Sequence, residues 1–317
     1  VPNEKWWGKP GKLTKRVMKQ MEDQASLNAF LNGEIDATGV GTGERLAAVK
    51  GKEGTKVYTS FRPQNVLLTA NSASQGLSDP KVREAVFKTV DRKLIANIVF
   101  KGLDFSEPFP GSLVQFSIQD GYRDNLSKAV TLDVKGAKKL LDEAGWKEGK
   151  DGVRVKDGKK LSIKFTRPTA VPTTKNESEL LQNQLKKIGI DLQMKEVESA
   201  SYFKTIAQKN FEVTGFAWQL TQYPMNNIGQ VYGKDSQSNF AGYSVDAIDE
   251  AIKKIAVETD NAKRVEMTNK VDALIWENVM NYPLYQRPDL CGVPKKLANY
   301  GAFGLATVRG EDVGFVD

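Results

Sequence analysis

Residues 133–165 read DVKGAKKLLDEAGWKEGKDGVRVKDGKKLSIKF. Asp133 is placed to cap a helix, because its carboxylate accepts from the unpaired N–H groups of a first turn. Ala137, Leu140, Leu141 and Ala144 recur three or four apart and share one helix face. Gly145 follows, where a left-handed residue ends such a run. Val153 and Val155 then alternate with polar residues, Asp157-Gly158 marks a tight turn, and Leu161, Ile163 and Phe165 alternate again. The spacing predicts a helix followed by a β-hairpin. It is a folding unit with no chemistry of its own.

Outward from this block, strands and helices alternate. A strand is expected over 13–20, a helix over 23–31 stopped by Asn32-Gly33, and a short strand at 35–37. A glycine loop (Gly39, Gly41, Gly43) leads into a helix over 44–49; it lacks the GxGxxG order of a phosphate loop and reads as a turn. Two strands (55–61, 64–70) and two helices opened by Asp79-Pro80 and Asp91 follow. Residues 103–132 are rich in Gly, Pro, Ser and Asp and read as a crossing segment. Beyond the hairpin come a helix over 177–188, a strand over 190–197, a helix over 202–208 and a strand over 211–218. An irregular stretch spans 219–243, then two helices (245–257, 260–279) and an extended run over 282–293. The pattern is that of α/β lobes.

The 317 residues are 40% hydrophobic and 27% charged, enough for a sizeable core in two lobes. The net charge of +7 is scattered in lysine pairs that read as solvated faces, and no basic-aromatic module points to nucleic acid. There is one cysteine, Cys291, and no histidine. A disulfide within the chain, a Ser-His-Asp triad and a Cys/His zinc site are therefore all excluded. The pairs Glu177/Glu179 and Glu196/Glu198 read as solvated charges, and no DxDxDG calcium loop is present. No enzyme, metal or cofactor is expected. No apolar run reaches the roughly 20 residues of a membrane span. Val1 does not read as a natural start, and the expectation is a piece of a longer chain.

The 133–165 block resembles a signature of the cluster 5 extracytoplasmic solute-binding proteins of ABC importers, which include the oligopeptide- and dipeptide-binding proteins. Other stretches are similar to the same family in the same order: PNEKWWGKPGKL, AFLNGEIDATG, LSDPKVREAVFKTVDRKLI, LLQNQLKKIGIDLQMKEV and FEVTGFAWQ. Thr89 and Glu212 depart from its usual Ala and Asp. The ending, NYPLYQRPDLCGVPKKLANYGAFGLATVRGEDVGF, looks most like actinobacterial members, among them LpqW-type lipoproteins. The resemblance implies a type II periplasmic-binding-protein clamshell, with the N-terminal part of the first lobe and the middle domain missing. Residues 1–102 would be the second segment of domain I, 103–282 domain III, and 283–317 the return segment. Some of 1–102 would then lack strand partners and leave an edge exposed.

The resemblance also implies a function. The chain would be the extracytoplasmic binding component of an importer, lipid-anchored in full length and monomeric. Its partners would be a peptide or other small polar ligand and the ABC permease subunits. The alternative is an LpqW-like accessory of cell-envelope glycolipid (phosphatidylinositol mannoside and lipoarabinomannan) synthesis. Peptide-binding members carry a Trp after the FEV-type strand and, three residues on, an Asp that meets the peptide's amino terminus. Here Trp218 is present but the later position is Thr221. Losing a charge-assisted bond weakens capture of a free amine by about 10–150-fold unless another carboxylate substitutes. Trp218 either walls a pocket or fills the core. The ligand-binding set implied is Trp218, Gln219, Thr221, Gln222, Tyr223, Tyr285 and Gln286. Tyr232, Asn239 and Tyr243 join it in the irregular stretch, as pocket or as surface polar residues. Arg287 meets either an acidic ligand group or a neighbouring carboxylate.

Overall fold

The computed structural model describes residues 3–103, 105, 109–169, 171–223 and 227–316. In chain order these form α1 (Asp23–Asn32), β1 (Thr38–Gly39), α2 (Gly43–Gly51), β2 (Thr55–Ala70), α3 (Pro80–Thr89), α4 (Arg92–Val99) and α5 (Leu126–Ala129). Next come α6 (Val134–Glu143), β3 (Lys147–Glu148), β4 (Arg154–Lys156), β5 (Lys159–Lys160), β6 (Ser162–Pro168), α7 (Pro172–Lys186) and β7 (Asp191–Val197). The remainder is α8 (Ser199–Ala207), β8 (Val213–Gln219), α9 (Ile228–Tyr232), α10 (Asp246–Val257), α11 (Asn261–Glu277), β9 (Asn281–Pro294), β10 (Leu297–Ala298) and β11 (Gly314–Phe315). Parts of the expected crossing segment (104, 106–108) and of the irregular stretch (224–226) lie outside the described residues.

The 133–165 block folds largely as its pattern dictates. The Asp133 carboxylate accepts from Gly136 N at 2.8 Å at the start of α6, and Gly145 takes the left-handed conformation (φ 85°) after it. Asp157 and Gly158 both have positive φ, as a two-residue hairpin turn requires, and Val155 pairs with Lys160 across it. The hairpin is shorter than expected, however. Its second arm leaves the small β3-β4-β5 sheet after Lys160 and becomes β6, which runs parallel to both β7 and β8 in the larger sheet. Alternation alone fits either arrangement. The right partner for Ile163 and Phe165 is decided by burial, and both are fully buried in the larger sheet.

The chain divides into two compact units, one of residues 1–63, 100–106 and 287–317, the other of 64–99 and 107–286. In the second unit, β6, α7 and β7 make a βαβ unit, and β8 joins β6 in parallel and β2 in antiparallel register (Gln64–Ala70 against Val213–Gln219). Two motif arginines hold it together. Arg83 is buried and donates to the carbonyls of Leu77, Asn278 and Val279, while Arg92 donates to those of Pro110 and Pro283. Asp272 on α11 accepts from Leu113 N at 2.8 Å and Asn125 Nδ2 at 2.7 Å, pinning the crossing segment to that helix. Burial pushes its carboxyl up to about 6.

In the first unit Leu27, Phe30, Leu46, Val49 and Leu290 pack into one core. The strand expected over 13–20 forms no ladder. Residues 13–21 are irregular chain that borders a groove of about 500 Å³ lined by Leu13, Val17, Met18, Ile35, Leu297 and Phe315. Val17 and Met18 are 62% and 83% exposed, an unusual state for a row of apolar side chains. The two strands expected over 55–61 and 64–70 are one 16-residue strand, β2, and like β9 it contributes to both units.

Candidate functional site

The implied ligand residues fall into two groups. Trp218 and Gln219 end β8, and Thr221, Gln222 and Tyr223 follow in an exposed loop. Tyr285 and Gln286 are buried in β9. Trp218 is half-buried. Its ring stacks on Phe240 (centroids 5.3 Å apart, 23° between planes) and meets Phe216 edge-on at 5.2 Å. Such pairs contribute beyond area burial, so Trp218 has a core role. It also lines a small cavity with Asn65, Leu67, Val114, Leu220 and Tyr232.

Parity along β8 separates two chemistries. Thr214, Phe216 and Trp218 point to one face, opposite Thr69, Leu67 and Asn65 of β2. On this face the Tyr202 hydroxyl donates to Gly215 O at 2.7 Å, and burial pushes it up to about 12, so it stays a neutral donor. Gly215 belongs to the other face. A methyl group there would lie 3.7 Å from Glu177 Oε2. Glu177 is only 1% exposed and accepts from the Tyr285 hydroxyl. The expectation that Glu177 is a solvated charge is therefore corrected: α7 turns it inward over a glycine that leaves it room. Glu196 meets solvent and pairs with Arg167 at 2.7 Å. The Tyr285 hydroxyl is committed to Glu177.

Thr221 does not aim at a ligand amine in this state. Its hydroxyl accepts from Tyr223 N at 3.1 Å and lies 3.0 Å from Tyr223 O, a local turn, and Gln119 Nε2 donates to its carbonyl at 3.0 Å. Tyr232 and Asn239 are buried, Asn239 donating to the carbonyls of Gly233 and Tyr243, and the Tyr243 ring lies under Arg83. Asn239 and Tyr243 are thus tied to the protein itself, whereas Tyr232 also lines the cavity beside Trp218. The residue that the sequence reading missed is Asn65. It is 1% exposed and directly opposite Trp218. Its only sequence signal is an amide at the head of the mostly apolar run NVLLTA. Among the described residues no group of His, Cys, Asp and Glu is arranged to hold a metal, and no helix is long and apolar enough to cross a membrane. Burial pushes the half-buried Cys291 thiol up to about 11, which keeps it from acting as a thiolate.

Residues 1–240 match the model for bacterial extracellular solute-binding proteins, family 5. The chain belongs to this family. Its curated relatives include the oligopeptide-binding protein OppA of Mycobacterium tuberculosis, 33% identical over 317 residues, a match covering 99% of this chain and 53% of that protein. Two solved family members superpose well. The periplasmic EDTA-binding protein EppA gives a TM-score of 0.87 at 22% identity, over 100% of this chain and 61% of that one. AppA of Bacillus subtilis, solved with a nonapeptide, gives 0.82 at 21%, over 93% and 59%. The chain spans about half the length of the OppA it matches. The fold is that of the type II periplasmic binding proteins, in part, and the family consists of extracytoplasmic binding proteins, not enzymes.

Proposed function

We propose that this chain is part of the peptide-binding component of an ABC importer, binding non-covalently with the Trp218 end of β8 as one wall of the ligand site. The observation that carries the reading is the placement of Trp218, half-buried between an aromatic cluster and a small, mostly apolar cavity at the end of a strand. A tryptophan held this way offers a rigid apolar wall at little entropic cost. The full protein is taken as a monomer, lipid-anchored outside the cell and docking on permease subunits. In that protein we assign residues 1–102 and 283–317 to domain I and 103–282 to domain III. The groove beside residues 13–21 then has a natural occupant in the part of the relatives' length that this chain does not cover.

Calorimetry of the full-length protein against a randomised pool of tri- to nonapeptides tests the reading. Saturable binding supports it, and silence across the pool overturns it. Thr221 favours a second reading, the envelope-glycolipid accessory, because the carboxylate expected to meet an amine is absent there. That reading predicts no peptide affinity, and a deletion strain with altered envelope glycolipids and normal peptide uptake.

A further inference from the structure

Residues 113–125 contain no strand or helix, yet they are tied down along their length. Their anchor is α11, where Glu266, Asn269 and Asp272 recur every third residue and share one side of the helix. Arg123 pairs with Glu266, Asn269 Nδ2 donates to Gly121 O at 2.8 Å, and Asp272 accepts from Leu113 N and Asn125 Nδ2. Gly121 is left-handed (φ 79°), and a Cβ there would collide with the Val265 side chain, so this strap lies flush on the helix. From the strap Gln119 reaches outward. Its side chain is half-buried with both polar atoms engaged: Oε1 accepts from Phe116 N at 2.9 Å, and Nε2 donates to Thr221 O at 3.0 Å. The loop it meets, 219–223, has local ties of its own, the Thr221 hydroxyl to Tyr223 N and Asn227 Nδ2 to Gln219 O. The Gln119 bond comes instead from 102 positions away in sequence, from a segment fixed on α11. Leu113 and Val114 of the same strap wall the cavity beside Trp218.

We propose that Gln119 is a positioning residue of the candidate ligand site: anchored through the strap to α11, it holds the Thr221 carbonyl, and with it the 219–223 loop, in the arrangement that receives a ligand. Thr221 then serves the loop twice, through its hydroxyl and through its carbonyl, and supplies shape where a carboxylate would supply charge. Gln119 acts through the loop and not on the ligand, since both its polar atoms are engaged within the protein. A loop released from this bond spends part of its time in other arrangements, and only the competent fraction binds. Affinity then falls through slower association, with dissociation unchanged. The inference rests on the peptide-binding reading above and names a residue that prepares its site.

The test uses the full-length protein, the tightest-binding peptide selected from the random tri- to nonapeptide pool, and two variants. Gln119→Met keeps the length and removes both hydrogen-bonding atoms. Gln119→Glu keeps the acceptor for Phe116 N and loses the donor to Thr221 O at neutral pH, which isolates the contact between strap and loop. Both are expected to weaken peptide binding about three- to tenfold, the worth of one neutral hydrogen bond, through the association rate in stopped-flow measurements. Amide exchange over 219–223 should quicken in both without ligand, while the melting temperature holds, because the bond is solvent-exposed. Unchanged affinity in both variants overturns the inference and leaves the peptide reading intact. A loss in Gln119→Met alone also overturns it, since the local turn at Phe116 is then the cause. So does faster dissociation with unchanged association, which marks direct contact with the ligand. No wild-type binding anywhere in the pool removes the peptide reading itself, and the positioning role with it.

Discussion

On one face of β8, Gly215 leaves room for Glu177, whose carboxylate accepts from Tyr285; on the other, Trp218 stands opposite Asn65, whose carboxamide has no protein partner. The first face behaves as a structural interior, where a buried polar group is held by another. On the second, a buried polar group is left without a hydrogen-bond partner. Burial alone does not tell them apart, since Glu177 and Asn65 are each 1% exposed. What differs is partner satisfaction, so substitutions on the two faces should split stability from binding.

The sharpest break in that comparison is Glu177→Ala. It strands the Tyr285 hydroxyl and removes a charge-capable acceptor, and should cost about 3–4 kcal/mol in chemical denaturation. A loss below about 1 kcal/mol would move Glu177 out of the structural face. Asp272 on α11 is a second buried carboxyl with hydrogen-bond partners of its own, read through pH. Its carboxyl is raised to about 6 in the fold, so between about pH 4 and pH 6 the unfolded chain has released its proton and the folded one has not. This group's contribution therefore falls as pH rises through that window, by up to about 3 kcal/mol for a two-unit shift. Asp272→Asn should flatten the difference in unfolding free energy between pH 5 and pH 7; an unchanged slope would refute the assignment. Trp218→Ala should cost about 2 kcal/mol, through its lost ring contacts, and abolish peptide binding together with it. Normal stability with binding lost would make Trp218 a pocket wall alone. Smallest is Tyr285→Phe, about 1 kcal/mol by thermal denaturation with peptide affinity intact, because its hydroxyl serves Glu177 and not a ligand.

Much of the fold was legible in residue spacing. The Asp133 cap, the Gly145 stop and the Asp157-Gly158 turn are local devices, and each formed where its residues predict. The 13–20 alternation was equally clear, yet no ladder formed there, because a strand needs a neighbour that spacing cannot supply. The hairpin's second arm went to the larger sheet for the same reason. At the site, Trp218 was legible as an aromatic at a strand end. Asn65 was not, because its meaning lies in the residue opposite on another strand, about 150 positions away in sequence. Glu177 was misread since a carboxylate on a helix is ordinarily solvated, and only its neighbours Gly215 and Tyr285 make it a buried acceptor.

The sequence by itself determined the α/β class, the helix caps and stops, the family, and the absence of histidine-based chemistry. These depend on residue identity and near neighbours along the chain. Only the tertiary structure decided which polar groups are satisfied and which are left open, because hydrogen-bond satisfaction is a property of pairs brought together from distant parts of the chain. That is why Glu177, paired with Tyr285, now reads as structure, while Asn65 opposite Trp218 is a buried amide without a partner.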